Sequence, residues 1–314
     1  MSAEINASLF DPARVSPAIR ELNTMILGAM TAGGLASPPE SAQGLRDALA
    51  AAATPYASTS ARTVTLPADG HEISLRVIPA ENPTAVFAHV HGGGFVTGSA
   101  TAQDAALERI VAATGMTAVS IEYRLAPEHP YPVGLDDCER AVRWLIEHGP
   151  AELGSGRVLI GGESAGANLA LATALRVNRD QPGALTAVAL YYGCYDITMT
   201  PSQRSYPTGA MLTTGFLDWL YDQYAPDVAR RGEPDISPLY ADLHGLPPVI
   251  LAVGTADSLV DDTMFLATRL LVAGVDTELV VVPGGDHAFD MAPLPECQEA
   301  VAAVDAFLAK HAAS

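Results

Sequence analysis

Lysine is almost missing from this 314-residue chain; Lys310 is the only one. Lysine and arginine together number 17 against 36 aspartates and glutamates, a formal net charge of −19. So acidic a surface repels phosphate backbones and anionic bilayers, which excludes nucleic acid as a partner. Cysteine is scarce as well. Cys138, Cys194 and Cys297 are odd in number and far apart, with no CxxC pair, so neither a disulfide framework nor a zinc site is expected. That usage suits a reducing cytoplasm. No run of about 18 apolar residues occurs, so no membrane insertion is expected. The opening MSAEINASLFDPARVSP lacks the basic and apolar regions of a signal peptide. Repeats and low-complexity linkers are also lacking. What is present is a 49% hydrophobic, 17% charged composition, enough for a sizeable core.

Two helical patterns open the chain, from about Pro17 to Met30, ending at Gly33-Gly34, and from about Pro39 to Ala53. Near Ala61 the period changes to two. Thr63–Leu66 and Ile73–Val77 alternate like strands, with Asp69-Gly70 as a hairpin signal. Strands then alternate with helices: Ala85–Val90, Ala102–Ala113, Ala118–Tyr123, Leu135–His148, Val158–Gly161, Ala165–Val177 and Ala187–Tyr192. The rhythm breaks between Asp196 and about Pro234, which holds one short helical pattern at Phe216–Tyr224, and resumes with Val249–Val253, Leu259–Ala273, Glu278–Val282 and Pro295–His311. Such alternation predicts an α/β fold, a mostly parallel sheet covered on both faces, with ligands beyond the carboxyl ends of its strands. The expected organisation is an N-terminal helical segment (1–60), a core (61–195 and 235–314) and an insertion (196–234).

Gly162-Glu163-Ser164-Ala165-Gly166 follows an apolar strand and opens an apolar helix. A serine on that tight turn has its hydroxyl exposed at the rim of the sheet, and the glycines are needed because a Cβ would clash there. His91-Gly92-Gly93-Gly94-Phe95 directly follows another strand, and its bare N–H groups can hold an oxyanion. Gly92 and Gly93 are assigned as donors, with Ala165 as the third. The serine needs a base, and the base an orienting acid, in the chain order Ser, Asp or Glu, His. Of the histidines after Ser164, His311 falls at an end expected to fray and His244 leads into a strand. His287 follows Leu279–Val282 through a Pro-Gly-Gly-Asp loop and is the base. Asp257, on the loop after Val249–Val253, is the first choice of acid. Asp261 and Asp262 are second choices, read otherwise as charges at a helix start.

These residues together resemble the hormone-sensitive-lipase-like esterases of the α/β-hydrolase superfamily. The resemblance rests on His91–Phe95, Tyr123–Glu128 with Pro130 and Pro132, Gly162–Gly166, Ser237-Pro238, Asp257–Leu259 with Asp261, and His287–Phe289. It runs from about residue 60 to the C-terminus. It implies the α/β-hydrolase fold and Ser164, Asp257 and His287 as a triad. It also implies Gly92, Gly93 and Ala165 as oxyanion hole, and a cap built from the N-terminal helices and the insertion. By the same resemblance the substrate is a short- to medium-chain acyl or aryl ester, no cofactor is needed and a homodimer is expected. The chain departs from the family at Glu163, where Asp is commoner, at Ala167, where Gly is frequent, and at Ala288, where Gly usually follows the histidine.

Phe95, Tyr195, Met211 and Phe216 are candidates to line the substrate site, Tyr195 with Tyr191 and Tyr192 near a strand end and Met211 and Phe216 in the insertion. His89 and His91 form an HxH pair without a third ligand at useful spacing, so His91 is read as a prop for the glycine loop. Amide, formamide or lactone hydrolysis would use the same triad. A non-catalytic small-molecule receptor of this fold would lack an intact one. An interfacial lipase would need a strongly amphipathic lid, which the insertion does not offer.

Overall fold

The structure, a computed structural model, describes residues 6–32, 37–54, 56–68, 70–205 and 211–313. Its elements in chain order are α1 (Pro17–Ala32), α2 (Ala42–Ala52), β1 (Arg62–Ala68), β2 (His71–Ile78), β3 (Val86–Val90), α3 (Asp104–Thr114), β4 (Thr117–Glu122), α4 (Val133–Glu152), β5 (Val158–Glu163), α5 (Ala165–Asp180), β6 (Leu185–Tyr191), α6 (Pro201–Ser205), α7 (Thr214–Tyr224), β7 (Val249–Gly254), α8 (Val260–Val272), β8 (Thr277–Val282) and α9 (Pro295–Ala313). The strands form one sheet in the order β1-β2-β4-β3-β5-β6-β7-β8. β1 pairs antiparallel with β2, and β2 with β4; every other neighbouring pair is parallel. Asp69 of the expected hairpin turn and Gly33-Gly34 at the expected end of the first helix lie outside the described residues.

The central strands are apolar on both sides because both faces of the sheet are covered. All five residues of β3 are buried. Val86, Ala88 and Val90 point into a cluster with Leu135, Val142 and Leu169 of α4 and α5. Phe87 points the other way, toward Leu107 of α3 and Val304 and Phe307 of α9. The same alternation separates Val249 and Leu251 of β7 from Ile250 and Ala252. This is the period-two pattern of a strand buried on two faces. α5 runs through the middle, with every residue from Ala165 to Ala174 buried. Its alanines and Gly166 keep it thin enough to lie against β3 and β5.

Segments outside the alternation converge on the loops at the strands' carboxyl ends. Ile19 of α1 packs with the second cluster, and Asn23 donates from Nδ2 to the Gly284 carbonyl at 2.9 Å, so α1 rests on the loop that leads to His287. Arg46 of α2 donates to the carbonyls of Val96 and Ala126 and forms a two-pronged ion pair with Glu128. α2 is thereby fastened to the loop after β3. Leu220 of α7 sits over Gly94, and Tyr224 stacks on Phe95 with ring centroids 3.8 Å apart. Among the described residues no helix is long and apolar enough to cross a membrane.

Two expectations need correction. His311 is not on a frayed end: α9 continues to Ala313, and His311 is buried beside Phe307, with centroids 4.5 Å apart. Asp261 and Asp262 do more than charge the start of α8. Asp261 accepts the Ser202 N–H at 2.8 Å. Asp262, fully buried, accepts from the Asp196 N–H, Thr200 Oγ1 and Gln203 Nε2. Together they tie residues 196–203 to α8. Burial pushes the Asp262 carboxyl up to about 7, against the pull of its Gln203, Asp196 and Thr200 hydrogen bonds.

Candidate active site

Ser164 stands at the turn between β5 and α5 with φ 57° and ψ −124°, in the left-handed half of backbone space that a side chain rarely occupies. The turn leaves no room beside it. A Cβ on Gly162 would lie 2.3 Å from the Val90 carbonyl oxygen, and one on Gly166 would lie 2.0 Å from the same atom. The Ser164 N–H donates to the Tyr191 carbonyl at 2.9 Å, which anchors the strained residue to β6.

Ser164 Oγ lies 2.9 Å from His287 Nε2, and His287 Nδ1 lies 2.8 Å from Asp257 Oδ2. Asp257 is fully buried, and its other oxygen accepts the Leu259 N–H at 2.8 Å. The loops that carry Asp257 and His287 are laced together. Thr255 N–H donates to the Val282 carbonyl, Ala256 N–H to the Gly285 carbonyl, and Gly284 N–H to Thr255 Oγ1. Gly254 and Gly285 touch so closely that a Cβ on Gly254 would fall 1.9 Å from the Gly285 oxygen. Acid and imidazole are thus carried by one rigid backbone unit. Side chains that sequence order alone suggested as partners are brought into a single hydrogen-bonded line, and Asp261 and Asp262 are engaged elsewhere.

Residues 87–291 match the α/β hydrolase fold family. An ethyl acetate hydrolase of Pseudomonas putida is 32% identical over 230 residues, 70% of this chain and 72% of the relative. The esterase LipU of Mycobacterium tuberculosis is 30% identical over 269 residues, 81% and 88% of the two chains. Among solved structures, an esterase of the hyperthermophilic archaeon Pyrobaculum calidifontis superposes with a TM-score of 0.83 at 27% identity, covering 96% of this chain and 99% of that one. A thermostable esterase of Pseudomonas putida gives 0.85 at 28% identity, covering 95% and 98%. The chain is an esterase of the hormone-sensitive-lipase-like family.

Burial pushes the imidazole of this esterase down, but the Asp257 charge and hydrogen bond, then Asp286 and Asp290, overcome it and hold His287 above the usual histidine range. Tyr192 packs its ring against the imidazole with centroids 4.7 Å apart and donates its hydroxyl hydrogen to Asp290. Asp286 accepts the His287 N–H at 2.7 Å and the Met211 N–H at 3.1 Å. Burial pushes its carboxyl up to about 6. Asp286 and Leu220 escaped the sequence reading. Asp286 looked like one more turn residue in Pro-Gly-Gly-Asp, and nothing in the spacing of α7 marks Leu220 as the residue that covers Gly94.

The glycine loop requires a correction. The Gly92 N–H, expected as an oxyanion donor, already donates to Glu163 Oε1 at 2.7 Å. The N–H groups of Gly93 and Gly94 have no acceptor among the described residues, and both glycines hold positive φ, 117° and 62°. Ala165 is the first residue of α5, where the N–H precedes the helix's own hydrogen bonding. The available donors are therefore Gly93, Gly94 and Ala165. His91 does prop the loop: its Nδ1 donates to the Gly92 carbonyl at 2.9 Å, and its ring stacks on Tyr123, whose hydroxyl donates to the His91 carbonyl. Burial lowers the His91 imidazole to about 4, so it is neutral at working pH. His89 turns to a different set of partners, Glu163 and Ser120. Among the described residues no group of three metal-ligating side chains occurs.

The candidate lining residues divide. Met211 borders a cavity of about 210 Å³ beside His287, together with Ile19, Leu22 and Ile26 of α1, Phe289 and Met291. Phe95 is 1% exposed and covered by Tyr224, and Tyr195 is fully buried with its ring folded over Gly193. Both are core residues, because the elements after β3 and β6 close over them. Phe216 lies on α7, parallel to Trp219 with centroids 6.3 Å apart, and is not part of the cavity wall beside His287. Of the three departures from the family, Ala288 stands out, for it adopts φ 60° and ψ 30°, the conformation that glycine tolerates best.

Proposed function

We propose that the esterase works by acyl transfer through Ser164, with His287 as base, Asp257 as orienting acid, and the N–H groups of Gly93, Gly94 and Ala165 as oxyanion donors. The continuous line from Ser164 Oγ through His287 to Asp257, with separations of 2.9 and 2.8 Å, carries this reading. Ser164 Oγ attacks the ester carbonyl while its proton passes to His287 Nε2. The imidazolium, paired with Asp257, returns the proton to the departing alcohol. Water then attacks the acyl-enzyme with His287 again as base, and the carboxylic acid leaves.

The substrate we infer is an ester of a short acyl chain with a small alkyl or aryl alcohol. A largely apolar cavity of about 210 Å³ lies beside the His287 imidazole, lined by Ile19, Leu22, Ile26 and Met211 among others, and supports a small apolar group on the substrate. The activity named for the Pseudomonas putida relative, ethyl acetate hydrolysis, fits that size. Residues 1–60 and 196–234 act as the cap over residues 61–195 and 235–314, a division supported by the way α1, α2 and α7 rest on the loops around Ser164. We place the enzyme in the cytoplasm, in keeping with three unpaired, buried cysteines. We also propose a homodimer, since β8 is an edge strand and Phe265 and Val272 of the neighbouring α8 are exposed. Light scattering on the purified chain reads that mass directly. The activity test is hydrolysis of p-nitrophenyl esters from acetate to decanoate. Turnover should peak at the short end, and Ser164→Ala should lose it, and fluorophosphonate labelling, while keeping its circular dichroism. A folded Ser164→Ala enzyme with parental turnover would refute the mechanism.

A further inference from the structure

We propose that Glu163 is a positioning residue for this reaction: with His89 it forms a strut that fixes the Gly92 peptide, and with it the Gly93 and Gly94 N–H groups. The inference rests on the acyl-transfer reading above and adds a residue to it. Glu163 immediately precedes the nucleophile, yet its side chain does not stay on the elbow. Oε1 accepts the Gly92 N–H at 2.7 Å, and Oε2 lies 2.7 Å from His89 Nε2. His89 sits on β3, two residues before the glycine loop, and its Nδ1 lies 3.0 Å from Ser120 Oγ on β4. Ser120 and His89 are in-register neighbours in the sheet. The chain Ser120–His89–Glu163–Gly92 therefore runs from the rigid sheet, through the elbow, to the first peptide of the loop.

Three features make this more than a surface contact. The three glycines have no side chains of their own, and two of them hold positive φ; His91 Nδ1 holds the Gly92 carbonyl and Thr97 Oγ1 the Gly93 carbonyl, while Glu163 takes the Gly92 N–H, the loop's amide side. The clamp acts on the residue nearest the nucleophile: a Cβ on Gly92 would lie 3.3 Å from the Ser164 Cβ and 2.9 Å from the Glu163 carbonyl oxygen. And the carboxylate is one residue from the point where negative charge develops. Left alone it would oppose that charge; its contacts with the imidazole and a peptide N–H draw its own charge away from the reacting carbonyl. Burial raises the Glu163 carboxyl, but the facing His89 and the Gly92 N–H outweigh it and keep the group ionised. A preorganised pair of donors matters mainly when the oxyanion forms, so the strut should act on kcat and leave KM nearly alone.

The test measures p-nitrophenyl butyrate turnover, inhibition by an alkyl trifluoromethyl ketone, whose adduct with Ser164 places an oxyanion among the same donors, and thermal melting. Glu163→Ala should lower kcat about 100-fold, with KM within about threefold, and weaken the ketone by a similar factor. Glu163→Gln keeps an oxygen for the Gly92 N–H and should recover about tenfold of that loss. His89→Ala should cost about three- to tenfold in both kcat and ketone affinity. Should Glu163→Ala fail to fold, Glu163→Asp takes its place. One methylene shorter, its carboxylate is drawn back from the Gly92 N–H and His89 Nε2, each now 2.7 Å from Glu163, and about a tenfold kcat loss is expected. A folded Ala or Asp variant that melts lower but keeps kcat and ketone affinity within about threefold overturns the proposal and leaves Glu163 a structural residue. The Ser164→Ala control separates this from failure of the mechanism itself, which would show as activity surviving loss of the serine.

Discussion

Asp257→Asn is the substitution that most directly tests how the imidazole is oriented, and the structure dictates its outcome. An asparagine of the same shape has one oxygen and one NH₂ where the carboxylate has two acceptors. The position of Asp257 Oδ1 is fixed as an acceptor by the Leu259 N–H at 2.8 Å. The amide oxygen must therefore occupy that place, because turning the amide over would set NH₂ against a buried N–H donor. The NH₂ is left facing His287 Nδ1. Nδ1 must then accept, the ring proton moves to Nε2, and the nitrogen 2.9 Å from Ser164 Oγ carries a hydrogen where a base needs a lone pair. The loss of the wrong tautomer in a triad of this type is about 10⁴ in kcat, or roughly 5 kcal/mol of barrier. The assay is p-nitrophenyl butyrate hydrolysis on the alkaline plateau of the parent's own pH profile, with circular dichroism to check folding. KM should change little, since the substrate touches neither Asp257 nor its amide. A folded Asp257→Asn enzyme within tenfold of the parent would show that another carboxylate serves His287. Asp286, whose Oδ1 already reaches the His287 N–H, would be the first to examine.

Asp286→Asn should move the acid limb of kcat/KM to lower pH. Removing a negative charge beside His287 makes the imidazolium less stable, so the base stays neutral further into acid; an unmoved or raised limb would contradict the charge arrangement. The same variant tests stability. A carboxyl raised in the fold to about 6 contributes stability below its unfolded pKa, and that contribution is lost as pH climbs toward 6, about 3 kcal/mol in all. The melting temperature of Asp286→Asn, relative to the parent, should therefore rise between pH 4 and pH 7. Ala288→Gly should stabilise. The left-handed conformation at φ 60° costs a non-glycine residue about 1–2 kcal/mol, against about 0.4–1 kcal/mol of added chain entropy in the unfolded glycine. Calorimetry should show a gain of about 1–3 °C, and a lower melting temperature would mean that the Ala288 methyl is held by its packing.

Much of this enzyme is legible in its sequence because the constraints are local. A serine between glycines, after an apolar strand and before an alanine-rich helix, has few other ways to fold, and the 2.0 and 2.3 Å approaches of Gly166 and Gly162 to Val90 give the steric reason. Asp257 and His287 could be selected because strands β7 and β8 deliver their following loops to the same edge of the sheet. The helices of the core were recognisable from their apolar period. α6 was not, since five residues are too few to show a period, and it is held by the tertiary bonds of Ser202 and Gln203 to Asp261 and Asp262.

What could not be read is which hydrogen bond each polar group makes across long sequence separations. Gly92 looked like a free donor because the residue that takes its N–H lies 71 positions away and reaches it through a side-chain torsion that no spacing encodes. Phe95 and Tyr195 looked like wall residues because they follow strand ends, where a ligand would sit. Yet a strand end is also where α7 and the 236–243 segment pack down, and burial of an aromatic ring is worth more there than exposure to a ligand. The two errors share a cause. A motif specifies a backbone that can present a donor or a ring to a substrate, whereas the rest of the chain decides whether that group is already spent. In this enzyme Glu163 engages the first glycine and leaves the second and third free.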